Sequence, residues 1–309
     1  MRSPPRRRRT EGLGGTRTDP YAPAVRDAGA SWTGGERAVR PEGIAVVTGS
    51  SRGIGRAVAI ELARQGFDVV ATMRSPDDGR DLGEELGPAA GRLTVQRMDV
   101  TEPATIRLPE EVGVLVNNAA VERPHTPFES TPMSTWREMF ETNVFGLIEV
   151  TRRAVPLMRA RGHGVICNVT SSSLLAPVPF YGPYRASKAA VSALSESLRT
   201  ELLPLGIRVI EILPGAIETD MLAHSEDSPV EVDHPAYRPM AERFVEMRRP
   251  LIGHGTPANA AASAIVETIC QQSDAIRHSC DPMGAALLEA WRANPGERLM
   301  ASMSEGWMP

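Results

Sequence analysis

Hydrophobic and polar positions alternate along residues 44–213 in two rhythms. The runs IAVVT (44–48), DVVATM (68–73), RLTVQRM (92–98), VGVLVN (112–117), GVICNVT (164–170) and IRVIEIL (207–213) are short and rich in β-branched residues. They read as strands, and the nearly unbroken apolar character of VGVLVN suits a strand covered on both faces. Between them lie stretches with helical spacing. IGRAVAIELARQG (54–66) closes on Gly66, a residue that ends helices well. A long helix is expected over much of 132–161, and another over YRASKAAVSALSESLRTELL (184–203). Strand and helix alternate without an internal repeat, so the pattern predicts an α/β domain: one parallel sheet flanked by helices on both faces. Ligands of such sheets bind beyond the carboxyl ends of the strands, which is where chemistry is sought.

Composition changes this picture mainly at the N-terminus. Residues 1–40 hold nine Arg against four acids, a balance of +5, and carry almost no apolar periodicity. The remainder holds 25 basic and 34 acidic residues, a balance of −9, which together give the net −4. Such a tail buries too little surface to offset the entropy of ordering, so 1–40 is expected to be disordered and 41–309 to form the folded domain. The four arginines at 6–9 are of a kind that touches nucleic acid or anionic membrane, yet a solvated tail is the simpler reading. Neither nucleic acid nor membrane is expected as a partner. Apolar runs are too short to cross a bilayer. Three cysteines without paired spacing fit reduced thiols and a cytoplasmic location, and six scattered histidines give no metal-binding pattern.

Two motifs carry candidate chemistry. TGSSRGIG (48–55) lies between the first strand and the first helix. Gly49 permits a tight turn, Gly53 a close backbone approach, and Gly55 close helix–strand packing, while the helix N-terminus offers N–H groups to a pyrophosphate. The second motif is YRASK. Tyr184 and Lys188 are one helical turn apart and share a face. Lys188 is the only lysine among 34 basic residues. Its ammonium is expected to stabilise the phenolate of Tyr184 and so lower a pKa that is ordinarily near ~10. Tyrosine then serves as general acid or base.

Taken with NNAA (117–120), these motifs resemble the short-chain dehydrogenase/reductases over about residues 43–283. The resemblance implies a single doubly wound Rossmann-type domain and hydride transfer between a nicotinamide and a ketone or secondary alcohol. It implies a catalytic set of Asn143, Ser171, Tyr184 and Lys188, with Ser172 as the alternative serine and Ser171 and Tyr184 binding the substrate oxygen. Asn143 would hold a water in a proton relay from Lys188. The cofactor would meet Gly49, Ser51, Arg52, Gly53, Ile54 and Gly55 in the glycine loop, and Asp99 and Val100 beside the adenine. Asn117, Asn118 and Ala119 would line the cleft, with Tyr184 and Lys188 at the ribose. Pro214, Gly215, Ile217 and Thr219 would face the carboxamide. Arg52, and Arg74 where an acid would select NAD(H), favour NADP(H), with NAD(H) possible. Two departures stand out: Ala120 replaces a glycine, and the link from Asp99 to Asn117 is too short for the usual helix.

The substrate is expected to be a small carbonyl or alcohol, and a lipophilic one. Leu174, Leu175, Val178, Pro179 and Phe180 would supply an apolar wall, and 220–255 a lid. A 3-oxoacyl-carrier-protein reductase uses the same four residues and is the alternative enzyme. An NADP(H)-binding sensor or regulator is the non-enzymatic one. A homodimer or homotetramer through the two long helices is expected by the same resemblance.

Overall fold

The structure is a computed structural model that describes residues 41–87, 92–227, 230, 232–249 and 254–294. The expected tail at 1–40 lies outside the described residues. So do 228, 229, 231 and 250–253 of the expected lid, and 295–309.

Strand β1 (Ile44–Thr48) passes through the glycine turn into helix α1 (Gly53–Arg64), and β2 (Val69–Met73) follows. A short helix α2 (Leu82–Leu86) precedes β3 (Leu93–Arg97). Between β3 and β4 (Val112–Asn117) the chain makes only the tight turn Pro103–Thr105, as the short link required. The expected long helix is α3 (Met133–Phe140), a wider π-type segment Glu141–Gly146, and α4 (Leu147–Arg161). Then come β5 (Gly164–Val169), α5 (Gly182–Leu202) and β6 (Ile207–Ile212). The two-residue strand β7 (Ile217–Glu218), helix α6 (Asp220–Asp227) and helix α7 (Arg238–Arg248) lead to a second short strand, β8 (Thr256–Pro257). Helix α8 (Ala258–Cys270), strand β9 (Arg277–His278) and helix α9 (Pro282–Ala293) complete the described chain.

Among the described residues the main sheet has seven parallel strands in the order β3-β2-β1-β4-β5-β6-β9, and β7 pairs with β8 separately. Period-two alternation sends neighbouring residues of each central strand to opposite faces. Ala45, Val47, Val114, Val116, Val165 and Cys167 pack with α1 and α8. Val46, Leu115, Ile166, Ile207 and Val209 pack with Val150, Ala154 and Met158 of α4. Both faces are covered, so the central strands read as continuous apolar runs. The strand order reverses between β1 and β4, which opens a crevice at their carboxyl ends.

Candidate active site

A cleft of about 520 Å³ opens at those carboxyl ends, between the glycine loop and the N-terminal part of α5. Gly49 turns with φ +68°, and a Cβ there would lie 2.8 Å from the Ala119 Cα. At Gly55 an added Cβ would run into the Gly49 carbonyl and the Asn118 amide, so this glycine brings helix against strand. Asn118 Nδ2 donates to the carbonyls of Thr48 and Gly49 at 3.0 and 3.1 Å. Thr48 Oγ1 accepts the backbone N–H groups of Asn118 and Ala119, both at 3.0 Å. These bonds lock the end of β4 to the glycine loop. Helix α1 begins with no side-chain cap, so its first N–H groups are left for a ligand. A positive helix end beneath a glycine cradle fits a dinucleotide pyrophosphate.

Most of the expected cofactor residues border this cleft. They are Gly49, Ser51, Arg52, Gly53, Ile54, Arg74, Asp99, Val100, Asn118, Ala119, Pro214, Gly215, Ile217 and Thr219. Arg52 and Arg74 stand on its rim. Arg52 Nη1 lies 3.7 Å from Asp220 Oδ2, both side chains being largely exposed. Asp99 Oδ1 accepts from the backbone and hydroxyl of Thr101 at 2.9 and 2.7 Å, which shapes the turn after β3. Gly55 stays beneath the loop as a packing residue.

Ser171, Tyr184 and Lys188 come together on the opposite wall. The Ser171 hydroxyl accepts the Ser173 N–H at 3.2 Å, and it borders the same cleft as the Tyr184 phenol. Ser172 is buried away from the cleft lining, which leaves Ser171 as the serine at the phenol. Lys188 is 4% exposed, donates from Nζ to the Val169 carbonyl at 2.9 Å, and lies 5.7 Å from the Tyr184 ring centre. Burial pulls its pKa down to about 8, against the charges of Glu122 and Glu211. The Tyr184 phenol is pushed well up, first by burial, then by the charges of Glu122 and Tyr181, with the Ser171 bond opposing. This reverses the expected depression. Desolvation penalises the phenolate more than Ser171 relieves it.

The structure places three other groups of expected residues as follows. Asn117 does not border the cleft. It is buried in the sheet, its Nδ2 donating to Thr151 Oγ1 and Asn168 Oδ1, both at 2.9 Å. Asn143 does not border it either, and its amide is occupied by protein partners. Oδ1 accepts the Val121 N–H at 2.8 Å, while Nδ2 donates to the Val121 carbonyl and to Ser187 Oγ, both at 3.0 Å. Asn143 therefore positions the wall through its side chain. Leu174, Leu175 and Val178 line a separate groove beside Arg277 and Trp291. Phe180, forced to φ +68°, instead meets the edges of Tyr237 and Phe244.

Sequence reasoning missed Glu122, His125 and Arg248. Glu122, Tyr181 and Arg248 border the cleft, and His125 is buried behind them. The available signal was the pair Glu122 and His125, three residues apart just after NNAA. In the plain sequence those histidines look scattered.

The sequence pattern of the short chain dehydrogenases matches residues 43–229, which contain the glycine loop, Ser171, Tyr184 and Lys188. The chain belongs to the short-chain dehydrogenase family. As a member it is an oxidoreductase. An uncharacterized oxidoreductase of Bacillus subtilis is 39% identical to this dehydrogenase over 206 residues, 63% of this chain and 72% of that protein. An NADP-dependent 3-hydroxy acid dehydrogenase of Escherichia coli K12 is 34% identical over 182 residues, 56% of this chain and 72% of the other. A short-chain dehydrogenase from Streptomyces avermitilis has a solved structure that superimposes with a TM-score of 0.68 at 28% identity. The match covers 86% of this dehydrogenase and 99% of that chain.

Proposed function

We propose that this dehydrogenase uses NADP(H) to interconvert a ketone and a secondary alcohol with a largely apolar body. The observation that carries the reading is that Ser171, Tyr184 and buried Lys188 line one cleft, with Lys188 Nζ 5.7 Å from the Tyr184 ring centre, together with Arg52 and Arg74. A dinucleotide held by the glycine loop would supply or accept the hydride. Tyr184, kept protonated by burial, delivers its proton to the carbonyl oxygen, and Ser171 holds that oxygen by a hydrogen bond. Lys188 offers a compact charge with three donors to ribose hydroxyls. Arg52 and Arg74 favour a 2′-phosphate through charge-assisted bonds, and the Escherichia coli relative is named as NADP-dependent. Val121, Tyr181, Met221 and Leu222 give the substrate end its apolar surface. Helices α6 and α7 belong to the segment that we take as its lid.

Among the described residues no helix is long and apolar enough to cross a membrane. A cytoplasmic enzyme is the reading that fits the free cysteines. Self-association across α4 and α5 is favoured by exposed Phe145 at the start of that helical wall.

The test is NADPH consumption over a panel of ketones, acyl thioesters and quinones, with NADH in parallel. Ketones should be reduced, NADPH should be preferred, and Arg74→Ala should lower that preference at least about tenfold, the size of one charge-assisted contact. Wild-type preference for NADH would remove the NADP(H) assignment. Turnover confined to acyl thioesters would move the enzyme to the acyl-carrier class.

A further inference from the structure

Glu122 stands where the cofactor wall runs on into the substrate end of the cleft, its side chain 13% exposed. Its Oε1 lies 2.8 Å from His125 Nε2. His125 is itself 3% exposed, stacked on Tyr181 with ring centres 4.1 Å apart and planes 17° apart, and edge-on to Phe244. Arg248 Nη1, from α7, lies 3.4 Å from His125 Nδ1. A guanidinium can only donate, so Nδ1 accepts and Nε2 carries the proton that points at Glu122. The Glu122 side chain is thus held by an oriented imidazole. Asn143 fixes the backbone next to it through both polar groups of Val121.

Arg248 also borders this cleft, and it and Glu122 would select opposite ligands. Arg248 directs Nη1 at His125 and places its guanidinium over the Phe244 ring, 5.1 Å from the centre. Glu122 is tied to the Tyr184 side of the cleft by packing: its partner His125 stacks on Tyr181, whose ring centre lies 6.0 Å from that of Tyr184. A substrate group close to the reacting carbon therefore meets an acceptor.

We propose that Glu122 is the specificity residue of the substrate end, accepting a hydrogen bond from a hydroxyl or ammonium group carried one or two bonds from the reacting carbon. This rests on the ketone reductase reading above and narrows it. The preferred substrates are apolar hydroxyketones or aminoketones, and their reduced diols or amino alcohols. Ketones with a carboxylate at that place are disfavoured.

Three aryl ketones with one common body test this: 2-hydroxyacetophenone, acetophenone and phenylglyoxylate. With NADPH, kcat/KM for the hydroxyketone should exceed that for acetophenone at least about tenfold, the size of one hydrogen bond to a charged group. Phenylglyoxylate should be the poorest. Glu122→Leu should bring the first ratio to within about twofold, mainly by raising KM for the hydroxyketone. Glu122→Gln, which keeps an acceptor but not the charge, should retain part of that ratio and accept phenylglyoxylate better. A ratio that survives in Glu122→Leu, or a wild-type preference for phenylglyoxylate, overturns the proposal and hands the wall to Arg248. Calorimetric binding of the same ketones to Tyr184→Phe protein with NADPH needs no turnover. There the hydroxyketone should bind more tightly than acetophenone, and Glu122→Leu should erase the difference. Equal binding overturns the role of Glu122, whereas selective binding without turnover in wild type counts against the reductase reading alone.

Discussion

Lys188 combines a chemical requirement with a cost to stability. Arginine would keep the charge, but a wide planar fork does not fit where one buried ammonium meets the Val169 carbonyl beside a phenol. Lys188→Arg should lower turnover at least about a hundredfold, as expected for lost general acid–base assistance. Steady-state kinetics at saturating cofactor reads this directly. The same residue has its pKa lowered from 10.5 to about 8 by burial. The unfolded chain thus holds that proton more tightly than the folded one. Below about pH 8 both states are charged and the fold bears the whole cost, roughly 3 kcal/mol. Between pH 8 and 10.5 the folded state loses the proton first and the cost fades. Lys188→Met should therefore raise Tm at pH 7, reduced by about 1 kcal/mol for the unpaired Val169 carbonyl. The gain should shrink as pH rises to 10.5, which melting curves across that range would reveal. A lower Tm at pH 7 would contradict this account. The pairing of Tyr184 with Lys188 was legible from spacing alone. The direction of the Tyr184 shift was not, because it depends on burial and on Glu122, which no local pattern reveals.

At the scale of elements, the segment after β9 supports the cofactor loop. Asp281 caps α9 by accepting the Gly284 N–H on Oδ1 at 2.8 Å, and its Oδ2 accepts the Gly215 N–H at 2.7 Å. One carboxylate thus ends a helix and pins the loop that follows β6. Asp281→Ala should cost about 1–2 kcal/mol as a lost cap. It should also raise KM for the cofactor several-fold, because Gly215 is no longer held at the cleft. Thermal melts and cofactor titrations measure the two effects separately, and an unchanged KM would limit Asp281 to capping. The helical wall over 133–161 shows the complementary limit of sequence reading. Apolar periodicity announced a helix, but the π-type turn at Glu141–Gly146 came as a finding. It is stabilised by what Asn143 reaches across 22 residues of chain at Val121, a contact invisible to a window along the sequence.

Across the whole molecule, a buried polar chain joins the last strand to the catalytic one. Glu211, fully buried on β6, accepts Thr170 Oγ1 at 2.8 Å, Ser192 Oγ at 3.0 Å and Arg277 Nε at 3.2 Å. Arg277 faces Glu211 directly in the β6–β9 register and lies over the Trp291 ring. Burial raises the Glu211 pKa, and the hydroxyls and Arg277 oppose that rise. Arg277→Met leaves a buried carboxylate without its cation and should cost about 3–5 kcal/mol. Adding Glu211→Gln should recover part of the loss, because a neutral amide needs no counter-charge. Denaturant unfolding of the single and double variants checks this, and additive losses would exclude the pairing.

The sequence by itself determined the alternation of strands and helices, the glycine turn and the Tyr184–Lys188 spacing. Each is set by steric and periodic rules that act over a few residues. It also marked the short link between β3 and β4. Only the tertiary structure decided that Asn117 and Asn143 turn inward and that Leu174, Leu175 and Val178 face another groove. It alone placed Glu122 and Arg248 at the cleft with His125 behind them, because chain folding brings Arg248 back from 123 residues away to His125. Hydrogen bonding and desolvation depend on distance in space, and local periodicity carries no record of that distance.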